Sequence, residues 1–65
     1  SKYFKDAVVW LIFNEAYKTA AELWWDRKDG DCRNFANAVL DMKIRAAGNN
    51  KAEKERLQKD KNLFK

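Results

Sequence analysis

The chain has no proline, no histidine, one cysteine and two glycines among its 65 residues. Without histidine it lacks the commonest protein ligand for zinc, and a lone cysteine excludes a disulfide within the chain. Proline and glycine are the residues that most often interrupt helices. We therefore expect long helices, no metal site and no cofactor.

The short length limits how stable the chain can be by itself. A domain of this size buries only about 60% of the surface of its unfolded form, which leaves it near the limit of independent folding. Disulfides and metals are excluded as further support, so oligomerisation remains. The hydrophobic fraction of 46% supplies apolar surface for it. We expect a single domain over residues 1–65 that forms a homo-oligomer, most simply a homodimer.

The lone cysteine favours a reducing, cytoplasmic setting. No small-residue cleavage site follows the first apolar run, so we expect no secretory signal. After the apolar run from Ala7 to Phe13, charged residues return at Glu15, so the run is shorter than the roughly 20 apolar residues that a membrane-spanning helix requires.

The stretch from Ala7 to Trp25 dominates the sequence, because it opens with seven consecutive apolar residues and contains all three tryptophans. With Ser1 as N-cap, it predicts one helix over residues 3–28. The first half of this helix carries apolar residues in the angular sector that Lys18 and Glu22 occupy later. A helix that is apolar on all sides must be covered on all sides. The sequence therefore predicts an interface formed by Phe4, Val8, Val9, Trp10, Leu11, Ile12 and Phe13.

Two turn sequences divide the rest of the chain. In the first, Gly30 is expected to take the left-handed conformation and Asp31 to cap a second helix over residues 32–47. In the second, Gly48 ends that helix, and Asn50 with Glu53 has the spacing of a capping box for a third helix over residues 51–63.

These elements predict an all-α fold. The second helix has a broad apolar face and follows a short turn, so it should fold back antiparallel on the first helix as a helical hairpin. The third helix is short and charged, and we expect it to dock through Leu57, Leu63 and Phe64. The hairpin would then form a bundle by homodimerisation.

Positive charge is concentrated in the second half of the chain. Residues 1–31 hold five Lys or Arg against six Asp or Glu, whereas residues 32–65 hold nine against four. The excess is typical of a surface that binds phosphates or an acidic protein, and equally of a solvated face that keeps the protein soluble. Candidate residues for an anionic partner are Lys18, Trp25, Arg33, Lys43, Arg45, Lys51 and Lys54.

Two of these candidates have alternative interpretations. Trp25 falls on the polar side of its helix, where it could anchor a partner, stack on a base or pack beneath the third helix. Lys43 lies on the apolar side of its helix. Its stem could pack while its ammonium group reaches water, or it could face an anionic ligand between protomers.

No catalytic residue is assigned. Cys32 stands in the first turn of the second helix, where the helix dipole would lower its pKa, but Asp29 and Asp31 oppose that effect and no histidine can act as its base. We expect Cys32 to be a small buried hydrophobic residue. Glu15 and Glu22, with Lys18 between them, have the spacing of a solvated ion-paired face.

The leading functional hypothesis is a small non-enzymatic regulatory protein that binds and modulates, for example inhibits, a larger protein through its apolar and aromatic surface. The alternative is nucleic-acid or nucleotide binding through the basic second and third helices. Peripheral membrane association through the first apolar run, flanked by Lys2 and Lys5, ranks below both.

Overall fold

The computed structural model describes residues 3–65, which form four helices and no strand. They are α1 (Phe4–Phe13), α2 (Tyr17–Trp25), α3 (Gly30–Ala46) and α4 (Lys51–Asn62). The predicted all-α class is confirmed. The predicted N-cap Ser1 and the basic Lys2 lie outside the described residues. None of the four helices has both the length and the hydrophobicity needed to cross a membrane.

The predicted single helix over residues 3–28 is wrong, because α1 and α2 are separate helices. The last turn of α1 closes with two backbone hydrogen bonds, from Glu15 N to Ile12 O at 3.0 Å and from Ala16 N to Leu11 O at 2.9 Å. Glu15, the donor of the first bond, has a left-handed φ of 60°. These bonds form a Schellman motif, which satisfies the last carbonyl groups of a helix while turning the chain away from its axis.

The boundary between α2 and α3 also differs from the prediction. Lys28, with φ of 48°, takes the left-handed position, and its N–H donates to Trp24 O at 2.7 Å. The N-cap of α3 is Asp29, whose carboxylate accepts a hydrogen bond from Cys32 N at 3.0 Å. Gly30 is already helical and Asp31 lies in the first turn. The left-handed position predicted for Gly30 is therefore taken by Lys28, and the N-cap position predicted for Asp31 is taken by Asp29.

The boundary between α3 and α4 follows the prediction. Gly48 has a left-handed φ of 56°. Asn50 is the N-cap of α4, and its side-chain oxygen accepts a hydrogen bond from Glu53 N at 3.1 Å.

The helices pair differently from the expected hairpin of two long helices. α1 and α2 form one antiparallel pair, in which the Arg27 guanidinium lies 4.6 Å from the centre of the Phe4 ring. α3 and α4 form a second pair, which the ion pair of Lys61 with Asp41 bridges at 2.8 Å. α1 and α3 run parallel, because Lys5 contacts Asp31 at one end and the ion pair of Glu15 with Lys43 joins the other.

The core is centred on Trp24, which is fully buried. Its indole N–H donates to Asp29 O at 2.8 Å, and its ring centre lies 5.5 Å from that of Phe64. Leu57 and Phe64 are buried and Leu63 is half-buried against the core, as predicted for the docking of α4. The other buried side chains are also apolar or aromatic: Val8, Ile12, Tyr17, Ala20, Ala21, Cys32, Ala36 and Leu40.

Candidate interaction surface

The seven residues predicted as an interface are divided by the structure into three groups. Val8 and Ile12 are fully buried in the chain's own core, so Val8 is not available to a partner, whereas Ile12 also lines the groove described below. The reversal of the chain after α1 places α2 and α3 over them. Trp10 and Phe13 are exposed, at 64% and 70%. The remaining three are half-buried: Phe4, Val9 and Leu11.

Phe13 forms one wall of an apolar groove between α1 and α3, which we call the α1–α3 groove. It has a volume of about 540 Å³ and is lined by Ile12, Phe13, Phe35, Val39, Met42, Lys43 and Ala46. The rings of Phe13 and Phe35 lie 5.4 Å apart at an angle of 57°. Met42, on the opposite wall, is 62% exposed. The groove thus presents aromatic and thioether side chains directly to solvent.

The groove exists because the apolar face of α3 is wider than the chain can cover. Phe35, Val39, Met42 and Ala46 recur at intervals of three and four residues, which places them on one side of α3. The short helix α1 covers only the inner part of this side, and α4 pairs with another part of α3. The sequence predicted the apolar character of these residues but assigned them to the core of the hairpin. Their exposure follows from the early end of α1.

Charged residues stand at both ends of the groove. At the end where α1 and α3 begin, Lys5 Nζ lies 2.9 Å from Asp31 and 3.6 Å from Asp29. The hydrogen bond to Asp31, with the charges of both carboxylates, raises the pKa of Lys5. At the other end, Lys43 Nζ contacts Glu15 at 3.2 Å. Lys43 therefore lines the groove, and its ammonium group pairs with Glu15 of the same chain, a partner that neither interpretation of its position predicted.

A second groove lies between α2 and the end of α4, and we call it the α2–α4 groove. It has a volume of about 450 Å³ and is lined by Lys18, Ala21, Glu22, Trp25, Asn62 and Leu63. The structure therefore brings together two predicted anion-binding residues, Lys18 and Trp25. Trp25 is 55% exposed, and Lys28 Nζ lies 3.7 Å from the centre of its ring. One face of the indole thus already carries a cation.

The other predicted anion-binding residues, Arg33, Arg45, Lys51 and Lys54, are exposed on α3 and α4. None of them lines either groove. Ion pairs occupy only three of the nine Lys and Arg residues between positions 32 and 65, namely Lys43, Arg56 and Lys61. Among residues 32–65, six cations therefore carry no ion pair: Arg33, Arg45, Lys51, Lys54, Lys59 and Lys65.

Two titratable side chains are buried among the described residues, Tyr17 and Cys32. Cys32 is 2% exposed, as predicted, and burial raises the pKa of its thiol, with a further contribution from Asp29. The hydroxyl group of Tyr17 is buried without a hydrogen-bond partner among residues 3–65, and burial raises its pKa. No group of three or more Cys, Asp or Glu residues in this part of the chain is placed to hold a metal ion.

The two grooves and the unpaired cations are therefore the described surface features to which a function can be assigned. The α1–α3 groove is the larger groove, and Phe13 is the most exposed of the large hydrophobic residues. The chain matches no protein-family model, no curated protein and no solved structure.

Proposed function

We propose that this chain is a small non-enzymatic interaction protein that binds and modulates a larger protein through the α1–α3 groove. The observation that supports the proposal is the exposure of Phe13 and Met42 beside the half-buried Phe35 and Val39. Contiguous apolar surface on a soluble chain marks an interaction site. Aromatic residues and methionine are also enriched at protein interfaces relative to other surface.

The shape of the groove favours one mode of recognition. Two parallel helices flank an apolar channel, which suits an amphipathic helix of a partner with anchors at intervals of three and four residues. Phe13 on α1 and Phe35 on α3 provide rigid aromatic contacts. Met42 provides an adaptable one, because its unbranched thioether can follow the shape of different side chains.

The test is a capture experiment with immobilised chain and two matched variants. The double variant Phe13→Asp/Met42→Asp should lose the bound protein, with an affinity reduced roughly 30-fold or more, because two central contacts are replaced by charges. The control Trp25→Asp, in the other groove, should retain it. Circular dichroism melts establish that both variants fold. Equal retention by the wild type and the double variant would contradict the proposal.

A second candidate function is nucleic-acid or nucleotide binding, and the six unpaired cations between positions 32 and 65, five of them on α3 and α4, favour it. The probe is a labelled single-stranded RNA, measured by fluorescence polarisation at about 50 and about 200 mM salt. Contact with four phosphates would weaken binding about 50-fold over this range, because bound counterions are released. The variant Lys51→Gln/Lys54→Gln should reduce the salt dependence, whereas Phe13→Asp should leave it unchanged. Absence of binding at the lower salt concentration would remove this candidate.

A further inference from the structure

We propose that in the free protein the α1–α3 groove is closed by a second copy of the same chain, packed antiparallel about a two-fold axis. This inference rests on the proposed function, since it names what covers the same groove before a larger partner binds. Its basis is that the groove face is complementary to itself in charge, in the direction of its helices and in its apolar contacts.

Charge of opposite sign lies at the two ends of the groove. On the groove side, the end where α1 and α3 begin carries one cation and three carboxylates, which are Lys5, Asp6, Asp29 and Asp31. Arg27, over the Phe4 ring, and Arg33 lie by helical spacing on the sides of α1 and α3 that face away from the groove. The other end carries two cations and one carboxylate, which are Arg45, Lys43 and Glu15, beside the Glu53–Arg56 ion pair of α4, which adds no net charge. An antiparallel copy would place the acidic end of each chain over the basic end of the other. A parallel copy would place like charges together.

These charges border the groove walls by helical spacing. Asp31 precedes Phe35 by four residues, and Arg45 follows Met42 by three, so each shares a helix face with a groove residue. On α1, Asp6 lies two turns before Phe13 on the same face. The charged residues and the apolar walls therefore face a second copy together.

The helix dipoles favour the same arrangement. Both α1 and α3 begin at the acidic end of the groove, so their positive dipole ends lie together there. A two-fold axis across the groove reverses the direction of the second pair of helices, which sets opposite dipole ends side by side. Two-fold contacts of this kind use one patch on both copies, so a face must be complementary to itself.

Apolar contacts would be shared between the copies. Trp10 stands one turn before Phe13 on α1 and is exposed beside the groove. The wall from Phe35 to Ala46 extends about 16 Å along α3, at 1.5 Å per residue. In a two-fold dimer, the Trp10 and Phe13 rings of one copy would lie against the α3 wall of the other.

The net charge of the chain does not oppose this contact. Most of the excess positive charge lies away from the groove, on Arg33 of α3 and on Lys51, Lys54, Lys59 and Lys65 in or after α4. The seven charged residues at the groove ends nearly balance, with three cations against four carboxylates. The apolar faces can therefore meet without strong repulsion.

The test is sedimentation equilibrium of the full chain in reducing buffer, with charge reversals at the groove ends. The wild type should be a dimer. Asp6→Lys and Arg45→Asp should each weaken the dimer roughly tenfold, since each reversed contact occurs twice by symmetry. The double variant Asp6→Lys/Arg45→Asp should restore the affinity, and Phe13→Asp should be monomeric. Trp25→Asp, outside the groove, should leave the mass unchanged.

Three outcomes would overturn the inference. They are a wild type that stays monomeric up to about 1 mM, a dimer that Phe13→Asp does not affect, and a double variant no tighter than the single variants. A monomeric wild type whose capture of a larger protein still depends on Phe13 would remove only self-association. If capture of a larger protein is unchanged in every groove variant, the proposed function is wrong instead.

Discussion

Two residues other than glycine hold the left-handed backbone conformation at helix ends. They are Glu15 after α1 and Lys28 after α2, whereas after α3 the position belongs to Gly48. A β-carbon in this conformation costs on the order of 1 kcal/mol, because it approaches the following carbonyl oxygen. The chain therefore bears strain at two turns that glycine would relieve. Its other glycine, Gly30, lies within a helix.

The two glycines should respond oppositely to alanine. Gly48→Ala should destabilise the protein by about 1 kcal/mol, although its β-carbon would meet open space, because φ is 56°. Gly30→Ala should stabilise it by about 0.5 to 1 kcal/mol, since a new β-carbon would lie 3.9 Å from its neighbour Arg33 Nη2, which is ordinary contact distance. Urea unfolding followed by circular dichroism measures both changes. A loss of stability in Gly30→Ala would show that Gly30 bears the left-handed turn after all.

The hydroxyl group of Tyr17 should lower the free energy of unfolding. It is buried with no hydrogen-bond partner among the described residues, and the side chain is only 3% exposed. A buried donor without a partner loses its hydrogen bond to water and gains none. Tyr17→Phe should therefore raise the free energy of unfolding by up to about 1 kcal/mol in urea titrations. A clear loss of stability would mean that the hydroxyl group has a partner in solution.

At the scale of the helices, the sequence predicted the start of α4 and missed the other two boundaries. Asn50 and Gly48 have the residue types that a cap and a left-handed turn require, so the start of α4 was predictable. The break after Phe13 was not, because no glycine or proline marks it and Glu15 takes the left-handed position. The signal for a break was that the apolar residues move from the side of the helix that Val8 occupies to the opposite side, which Tyr17 occupies. We interpreted that shift as one helix that is apolar on all sides.

The N-cap of α3 makes stability depend on pH. The backbone N–H of Cys32, followed by Lys5, holds the pKa of the Asp29 carboxyl group below its ordinary value near 3.8. The unfolded chain therefore binds a proton more readily at this position than the folded chain does. Its contribution is present above pH 3.8 and is lost as pH falls through the lower folded pKa. Asp29→Asn, which keeps the cap but cannot titrate, should weaken the acid dependence of the unfolding free energy.

Asp60 in α4 should change stability with pH in the opposite direction from Asp29. Burial raises the pKa of its carboxyl group, so the folded chain binds this proton more readily than the unfolded one. Its ionised form therefore lowers stability as pH rises through and above the ordinary value near 3.8. Asp60→Asn should raise stability at neutral pH relative to acid. Parallel pH profiles of the wild type and both variants would contradict these assignments.

At the scale of the molecule, the contact of Phe64 with Trp24 attaches α4 to α2. Phe64 is 1% exposed, although it lies beyond the last residue of α4. Phe64→Ala should cost about 3 kcal/mol, because it leaves a cavity beside the central tryptophan. Labelling of the buried Cys32 with a thiol reagent measures the result, and it should become faster by the factor that the loss of stability implies.

A control separates global opening from local exposure in that experiment. Lys54→Ala, at an exposed site of α4 outside the α1–α3 groove, should leave Cys32 labelling close to the wild-type rate, because it removes no core contact. Equal labelling rates in the wild type and Phe64→Ala would mean that Cys32 is reached by local fraying of α3, independently of the α4 contact.

The groove was predictable only in part, and the reason is geometric. The sequence identifies Phe13 as an interface residue and Phe35 and Met42 as apolar, because helical spacing determines which residues share a face. It does not determine how much of that face a neighbouring helix covers. That depends on the length of α1 and on the side of α3 that α4 occupies, and both follow from the unmarked turn at Glu15.

The three tryptophans stand in three different environments, which gives the chain its own fluorescent reporters. Trp24 is buried in the core, Trp10 is exposed beside the α1–α3 groove, and Trp25 lines the α2–α4 groove beneath Lys28. Buried indoles emit at shorter wavelengths and resist quenching by acrylamide, whereas exposed ones do not. In variants that retain a single tryptophan, emission from position 10 reports occupation of one groove and emission from position 25 that of the other. Unfolding is followed in the variant that retains Trp24, so binding and stability are read from separate variants without an added label.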